Sequence, residues 1–151
     1  MDLQFRLCTQ NDLPILQVLL SELDSELQLS EGQMQAIFER ICQIPNYHYY
    51  LAQLAGEPVG CFSLLIVPTF LRNGACEALL DSVVVLPPYR GQGIGRTMMQ
   101  EVARICREAG CYKITLSSNL KRDRAHQFYQ NLGFEQHGWS FSLDLCSIPL
   151  S

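Results

Sequence analysis

The sequence predicts an α+β domain: a mixed sheet with helices on both of its faces. Three observations carry this. Alternating or continuous apolar runs at 3–8, 47–54, 59–67, 77–86 and 112–117 read as strands. Apolar residues at helical spacing fall between several of these runs, and glycine, proline and asparagine punctuate the joints. A chain of 151 residues, 48% hydrophobic, is the size of one ordinary domain with a real core, so residues 1–151 are expected to form a single domain.

The elements follow in order. The first strand spans 3–8. Asn11-Asp12 then offers an N-cap and Pro14 sits in the first turn of a helix striped by Leu13, Leu16, Leu19, Leu20 and Leu23. Ser30 opens a second helix with Met34, Ile37, Phe38 and Ile41 at helical spacing, and Pro45-Asn46 ends it. Tyr47 to Leu54 and Val59 to Val67, joined at Gly56-Glu57, predict a hairpin. After a loop at 68–76, the strand at 77–86 is apolar around Val83-Val84-Val85, which suggests a central place in the sheet. A helix over 95–109 turns Met98, Met99, Val102, Ile105 and Cys106 inward, with Gly110 as its stop. A strand at 112–117 follows, then a short helix with Ala125, Phe128, Tyr129 and Leu132 on one face. From Phe134 onward, with Phe141, Leu143 and Leu145 alternating, a final hairpin is predicted.

Composition narrows the function. The net charge is −4, and duplex binding needs clustered Lys and Arg, so nucleic acid is not expected as a partner. Arg90, Arg96, Arg104, Arg107, Lys113, Lys121, Arg122 and Arg124 nevertheless make the second half basic, which suits a small anionic ligand. No apolar run is long enough to span a bilayer, and Met1-Asp2-Leu3-Gln4-Phe5-Arg6 is not a signal peptide, so a cytoplasmic protein without a membrane partner is expected. The seven cysteines include no C-x-x-C pair and no zinc pattern. They read as small core residues in a reducing compartment, and no metal site is expected.

The strongest local signal is the passage from Leu80 to Arg96: an apolar strand, Pro87-Pro88, then Gly91, Gly93 and Gly95 at the start of a helix. The spacing is not the G-x-G-x-x-G of a dinucleotide fold, and Gly95-Arg96-Thr97 is not the end of a Walker loop. What survives is the physics. Glycines let backbone N–H groups approach an anion closely, a helix N-terminus favours negative charge, and Arg90 and Arg96 can add charge-assisted bonds.

Arg90-x-x-Gly93-x-Gly95, after a Val-rich strand and before a helix, resembles the acetyl-CoA signature of the GCN5-related N-acetyltransferases. About 35 residues on, Ala125-His126-Gln127-Phe128-Tyr129-Gln130-Asn131-Leu132-Gly133-Phe134 resembles that family's A-x-x-F-Y-x-x-x-G-F helix. The strings Leu116 to His126 and Gly110 to Lys113 resemble, respectively, the aminoalkylphosphonate and glucosamine-phosphate branches.

The resemblance implies a mostly antiparallel mixed sheet splayed at a cofactor cleft, with acetyl-CoA as co-substrate. The pyrophosphate would lie on Gly91, Gln92, Gly93, Ile94, Gly95 and Arg96, with Arg90 beside them. The pantetheine arm would run along Val83, Val84 and Val85, where a backbone N–H polarises the thioester carbonyl. Transfer to an amine requires a base, since an ammonium has no lone pair. Asp81 and Glu77, four apart on one strand and so on one side of it, are the leading candidates, with His126 a third. Tyr129 stands where the family places the proton donor to the leaving thiolate. Many members carry an Asn seven residues before this tyrosine. Here that position is Arg122, and Asn119 lies three residues earlier, so the pantetheine contact falls to one or the other, or is lost. The implied acceptor is a small amine bearing an anionic group, with a protein substrate or a non-catalytic acetyl-CoA-binding module as alternatives. Homodimers are common in families of this kind.

Overall fold

The computed structural model describes residues 2–117, 123–138 and 140–146. The chain divides into two compact units, Met1–Leu116 and Ser117–Ser151.

The first unit runs β1 (Leu3–Leu7), a 3₁₀ turn (Gln10–Asp12), α1 (Leu13–Leu20), α2 (Glu31–Cys42), β2 (Tyr47–Leu54), β3 (Glu57–Pro68), the single turn α3 (Leu71–Gly74), β4 (Cys76–Val85), a 3₁₀ turn (Pro87–Tyr89), α4 (Ile94–Glu108) and β5 (Cys111–Thr115). The sheet order is β1-β2-β3-β4-β5. The first four strands form an antiparallel meander, and α4 carries the chain back so that β5 joins β4 in parallel.

Local chemistry explains the joints. The β2–β3 hairpin turns on Ala55 and Gly56, both left-handed (φ 51° and 83°), the conformation a two-residue hairpin turn demands. A reciprocal capping box starts α2: Ser30 Oγ accepts from the Gln33 N–H at 3.1 Å, and Gln33 Oε1 accepts from the Ser30 N–H at 2.8 Å. Gly110 leaves α4 at φ 80°.

The sheet buries both faces. Leu51, Cys61 and Val84 face α1 and α2, where Leu13, Leu16, Leu19 and Met34 complete one core. On the other face Phe62, Leu64, Ala78 and Leu80 are buried, as are Met98, Met99, Val102 and Cys106 of α4. Phe62 stacks on Tyr50 at 4.9 Å between ring centroids. No described helix is long and apolar enough to cross a membrane.

Several expectations are corrected. Asp12 does not cap α1 with its side chain. Its carboxylate turns back to take two bonds from Arg6, Nη1 at 2.6 Å and Nη2 at 2.7 Å, and one from the Thr9 N–H at 2.7 Å. Leu23 lies beyond α1 and is exposed, and so is Ile37, because α2 meets the core through Met34 and Phe38. Of the cysteines, Cys8, Cys61 and Cys106 are buried, whereas Cys42 and Cys146 are exposed; none of the seven forms a disulfide. Burial pushes all three buried thiols up to about 12.

In the second unit α5 spans Asp123–Asn131. It ends where Gly133, at φ 94°, donates to Gln130 O at 3.0 Å and Phe134 N–H reaches back to Tyr129 O at 3.0 Å. Among the described residues the expected final hairpin does not form: none after Asn131 is in a strand. Phe141 and Leu145 are largely exposed there. Alternation makes a strand only where a neighbouring ladder and a buried face receive it.

Candidate active site

The glycine turn sits between the end of β4 and the N-terminus of α4. Gly91 and Gly93 are both left-handed (φ 77° and 85°), a backbone that a side chain would strain. A Cβ built on either glycine meets nothing within 4 Å, so the space before the helix is open. Gly93 is the N-cap of α4 and supplies no side-chain cap. The ladder begins with Thr97 N–H on Gly93 O at 3.1 Å, which leaves the first-turn N–H groups of Ile94, Gly95 and Arg96 without intrahelical acceptors. The Ile94 side chain is buried and anchors the turn, while Arg96 is exposed and makes no ion pair among the described residues. The turn is tied down from behind. Arg90 Nε donates to Val85 O at 2.8 Å and Gln92 Nε2 to Pro88 O at 3.2 Å. Arg90 Nη2 also lies 3.6 Å from Glu22 Oε2, just past α1. An open depression of about 500 Å³ lies nearby in the chain, lined by Gln17, Ser21, Leu27 and Leu29.

Upstream, β4 changes character along its length. Its parallel ladder with β5 ends at Leu79↔Thr115, yet the strand continues to Val85. Against β3 the register runs Ser63↔Asp81 and then Cys61↔Val84, so β4 carries one extra residue there: a β-bulge. Ser82 in the bulge is left-handed at φ 53°, and Val83 has no register partner. Val84 is buried in the core on the α1–α2 side and Val85 pairs with Gly60. The two strands approach so closely that a Cβ on Gly60 would lie 2.4 Å from Val84 O.

The carboxylate candidates part company. Glu77 and Asp81 share a side of β4, as their spacing predicts, but four residues of strand separate them by roughly 13 Å. Glu77 lies in the doubly paired half, 3.8 Å from Lys113 Nζ and accepting from Thr115 Oγ1 at 3.4 Å. Asp81 is exposed beside the bulge, its Oδ1 accepting from the Ser82 N–H at 2.7 Å. The row Tyr49↔Ser63↔Asp81 crosses the sheet at that level. Tyr49 Oη lies 3.3 Å from Ser82 Oγ. Tyr47 has its phenol pushed up by burial, then by its hydrogen bond to Tyr49, with the Asp81 charge adding. Tyr49 and Ser82 are not distinguished by the sequence pattern. The run of tyrosines at 47–50 shows a pocket-lining composition, but not which ring reaches the bulge.

In the second unit Tyr129 lies on α5, its ring 5.2 Å from Phe128 and 5.5 Å from Phe134 between centroids. His126 is on the same helix, three residues earlier. Asn119 and Arg122 lie outside the described residues.

Residues 16–134 match the model of the acetyltransferase (GNAT) family. The chain is 34% identical over 146 residues to a glucosamine 6-phosphate N-acetyltransferase of Trypanosoma brucei brucei, covering 95% of this chain and 97% of that protein. It is 39% identical over 98 residues to the aminoalkylphosphonate N-acetyltransferase of Salmonella typhimurium, 65% of this chain and 63% of that one. A crystal structure of a Trypanosoma brucei acetyltransferase superposes with a TM-score of 0.81 at 34% identity, covering 95% of this chain and all of that one. On the family match over most of its length and the similarity to these N-acetyltransferases, the chain belongs to the GNAT family.

Proposed function

We propose that this enzyme moves the acetyl group of acetyl-CoA directly to the primary amine of a small molecule that carries an anionic group. One observation carries the reading. Within a single unit, a helix N-terminus without a side-chain cap, behind a left-handed glycine turn, adjoins a strand whose second half is bulged and, among the described residues, unpaired along one edge. The relatives named for glucosamine 6-phosphate and aminoalkylphosphonates support an anionic amine.

The donor set fits acetyl-CoA. Backbone N–H groups at 91–96, with Arg96, suit a pyrophosphate, and the open edge of Val83, Val84 and Val85 suits the amide-bearing pantetheine arm. When bound, acetyl-CoA supplies the acyl group as a thioester. In this reading an N–H of the bulged segment stabilises charge developing on the acyl oxygen. Asp81 accepts the proton of the incoming amine, directly or through water, and Tyr129 Oη returns a proton to the departing sulfur. Glu77 is the weaker base candidate, since Lys113 and Thr115 already occupy its carboxylate. A cysteine relay finds no support: Cys61, beside the bulge, has a thiol pushed up to about 12 by burial and donates to Ser82 O at 3.3 Å.

Free-thiol release from acetyl-CoA, measured across a panel of glucosamine 6-phosphate, aminoalkylphosphonates, uncharged amines and peptides, tests the reading. Turnover confined to peptides, or none with any amine, overturns it. Tyr129→Phe is expected to lower kcat by roughly 10- to 100-fold with acetyl-CoA affinity unchanged; full kcat removes Tyr129 from the acid role.

A further inference from the structure

We infer that Tyr49 is a positioning residue for acyl transfer: its hydroxyl, through Ser82, holds the β4 bulge in the left-handed conformation that aims the strand's backbone at the acyl group. The inference rests on the transfer reading above.

The starting point is an outlier. Of the five described non-glycine residues with positive φ, Ser82 alone lies inside a strand; Asn46 and Ala55 occupy turns, and Arg72 and Asn73 the single turn α3. A serine pays a steric penalty in this region that a glycine would not, so such a conformation persists only where its surroundings over-determine it. Here every polar group of Ser82 is engaged. Its N–H donates to Asp81 Oδ1 at 2.7 Å, and its carbonyl accepts from Cys61 Sγ at 3.3 Å. Its Oγ shares a hydrogen bond with Tyr49 Oη at 3.3 Å. The three partners come from three different strands. Asp81 is the immediate neighbour and Cys61 is the adjacent core thiol, whereas Tyr49 reaches across β3 from β2. Tyr49 is itself fixed: its ring packs against the α1–α2 core and lies 5.9 Å from Tyr47. The brace thus runs from the half-buried Tyr49, packed against the α1–α2 core, to left-handed Ser82.

The strut has a distinctive signature, because glycine needs none. In wild-type background Tyr49→Phe keeps the ring and its packing but removes the hydroxyl. It is expected to lower kcat with glucosamine 6-phosphate about 10-fold at unchanged acetyl-CoA affinity, and to raise amide hydrogen exchange at 81–85 in the substrate-free enzyme while β1–β2 exchange stays constant. In a Ser82→Gly background the same substitution is expected to change kcat less than 2-fold. In Ser82→Ala, which keeps the steric demand but lacks the hydroxyl, Tyr49→Phe again adds nothing, and this pair decides the matter should the glycine variant not fold. An equal penalty for Tyr49→Phe in all three backgrounds overturns the inference, as does unchanged exchange at 81–85. If wild-type enzyme acetylates no amine, the transfer reading has failed, and the exchange comparison still judges the strut by itself.

Discussion

The two halves of β4 are made from similar residues and do different work. From Cys76 to Leu79 the strand is paired on both edges, and Glu77 is engaged by Lys113 and Thr115. From Asp81 to Val85 it is paired on one edge only among the described residues, carries a bulge, and leaves Asp81 exposed. The first half is a strand that has satisfied its neighbours. The second offers unpaired backbone, a strained residue and an exposed carboxylate, and it leads straight into the glycine turn. In the proposed reaction the second half is where a ligand takes the place of the missing strand.

The contrast can be broken at several points. The largest effect is expected from Gly93→Glu, which places a side chain at φ 85° and a negative charge in the open space before α4. Acetyl-CoA binding by calorimetry should disappear; binding at wild-type strength would remove the turn from the cofactor site. Next, Asp81→Asn retains the oxygen that accepts from Ser82 but cannot take a proton. Its kcat should fall by about 100-fold, whereas Glu77→Gln in the paired half should stay within about 3-fold. The reverse order in steady-state kinetics would move the base to Glu77. Gly60→Ala tests the close approach that seats the open half, since the new Cβ would meet Val84 O at 2.4 Å and backbone has little room to yield. A loss of about 1–3 kcal/mol in denaturant unfolding is expected, with a drop in kcat as Val84 and Val85 shift; unchanged stability would show that the strands part freely.

The smallest effect lies away from the cleft, at Asp12. Its hydrogen bonds from Arg6 lower its pKa from 3.8 to about 2, so the pair stabilises the fold above the ordinary carboxylate value, and that contribution fades as pH falls from about 4 toward 2. Arg6 is 41% exposed and solvent screens the pair, so Asp12→Asn should cost about 1–2 kcal/mol at pH 7 and little at pH 2. Equal melting temperatures for the two proteins at pH 7 would contradict this.

Much of the fold was legible because periodicity and turn chemistry are local. The β2–β3 hairpin, the capped start of α2 and the Met98–Cys106 face of α4 follow from spacing and from Gly56, Ser30 and Gly110. The glycine turn was legible for the same reason. What escaped depends on neighbours far off in sequence. Nothing about Ser82 within the Val-rich run announces a left-handed residue, since its partners come from β2 and β3. Glu77 and Asp81 look equivalent until Lys113 is seen beside one and the bulge beside the other. The alternation at 141–145 has the pattern of a strand without a described partner, and pattern alone does not supply one.

The buried thiols bear on how this enzyme is measured. Reagents that detect released CoA react with thiolates. At pH 8 a thiol titrating at about 12 is roughly one part in ten thousand ionised, which leaves Cys8, Cys61 and Cys106 silent in the native protein while exposed Cys42 and Cys146 set a fixed background. With neither amine nor acetyl-CoA present, and once the half-buried Cys76 and Cys111 have reacted, a further slow rise reports the core opening, so the same reagent that counts turnovers also keeps time on unfolding.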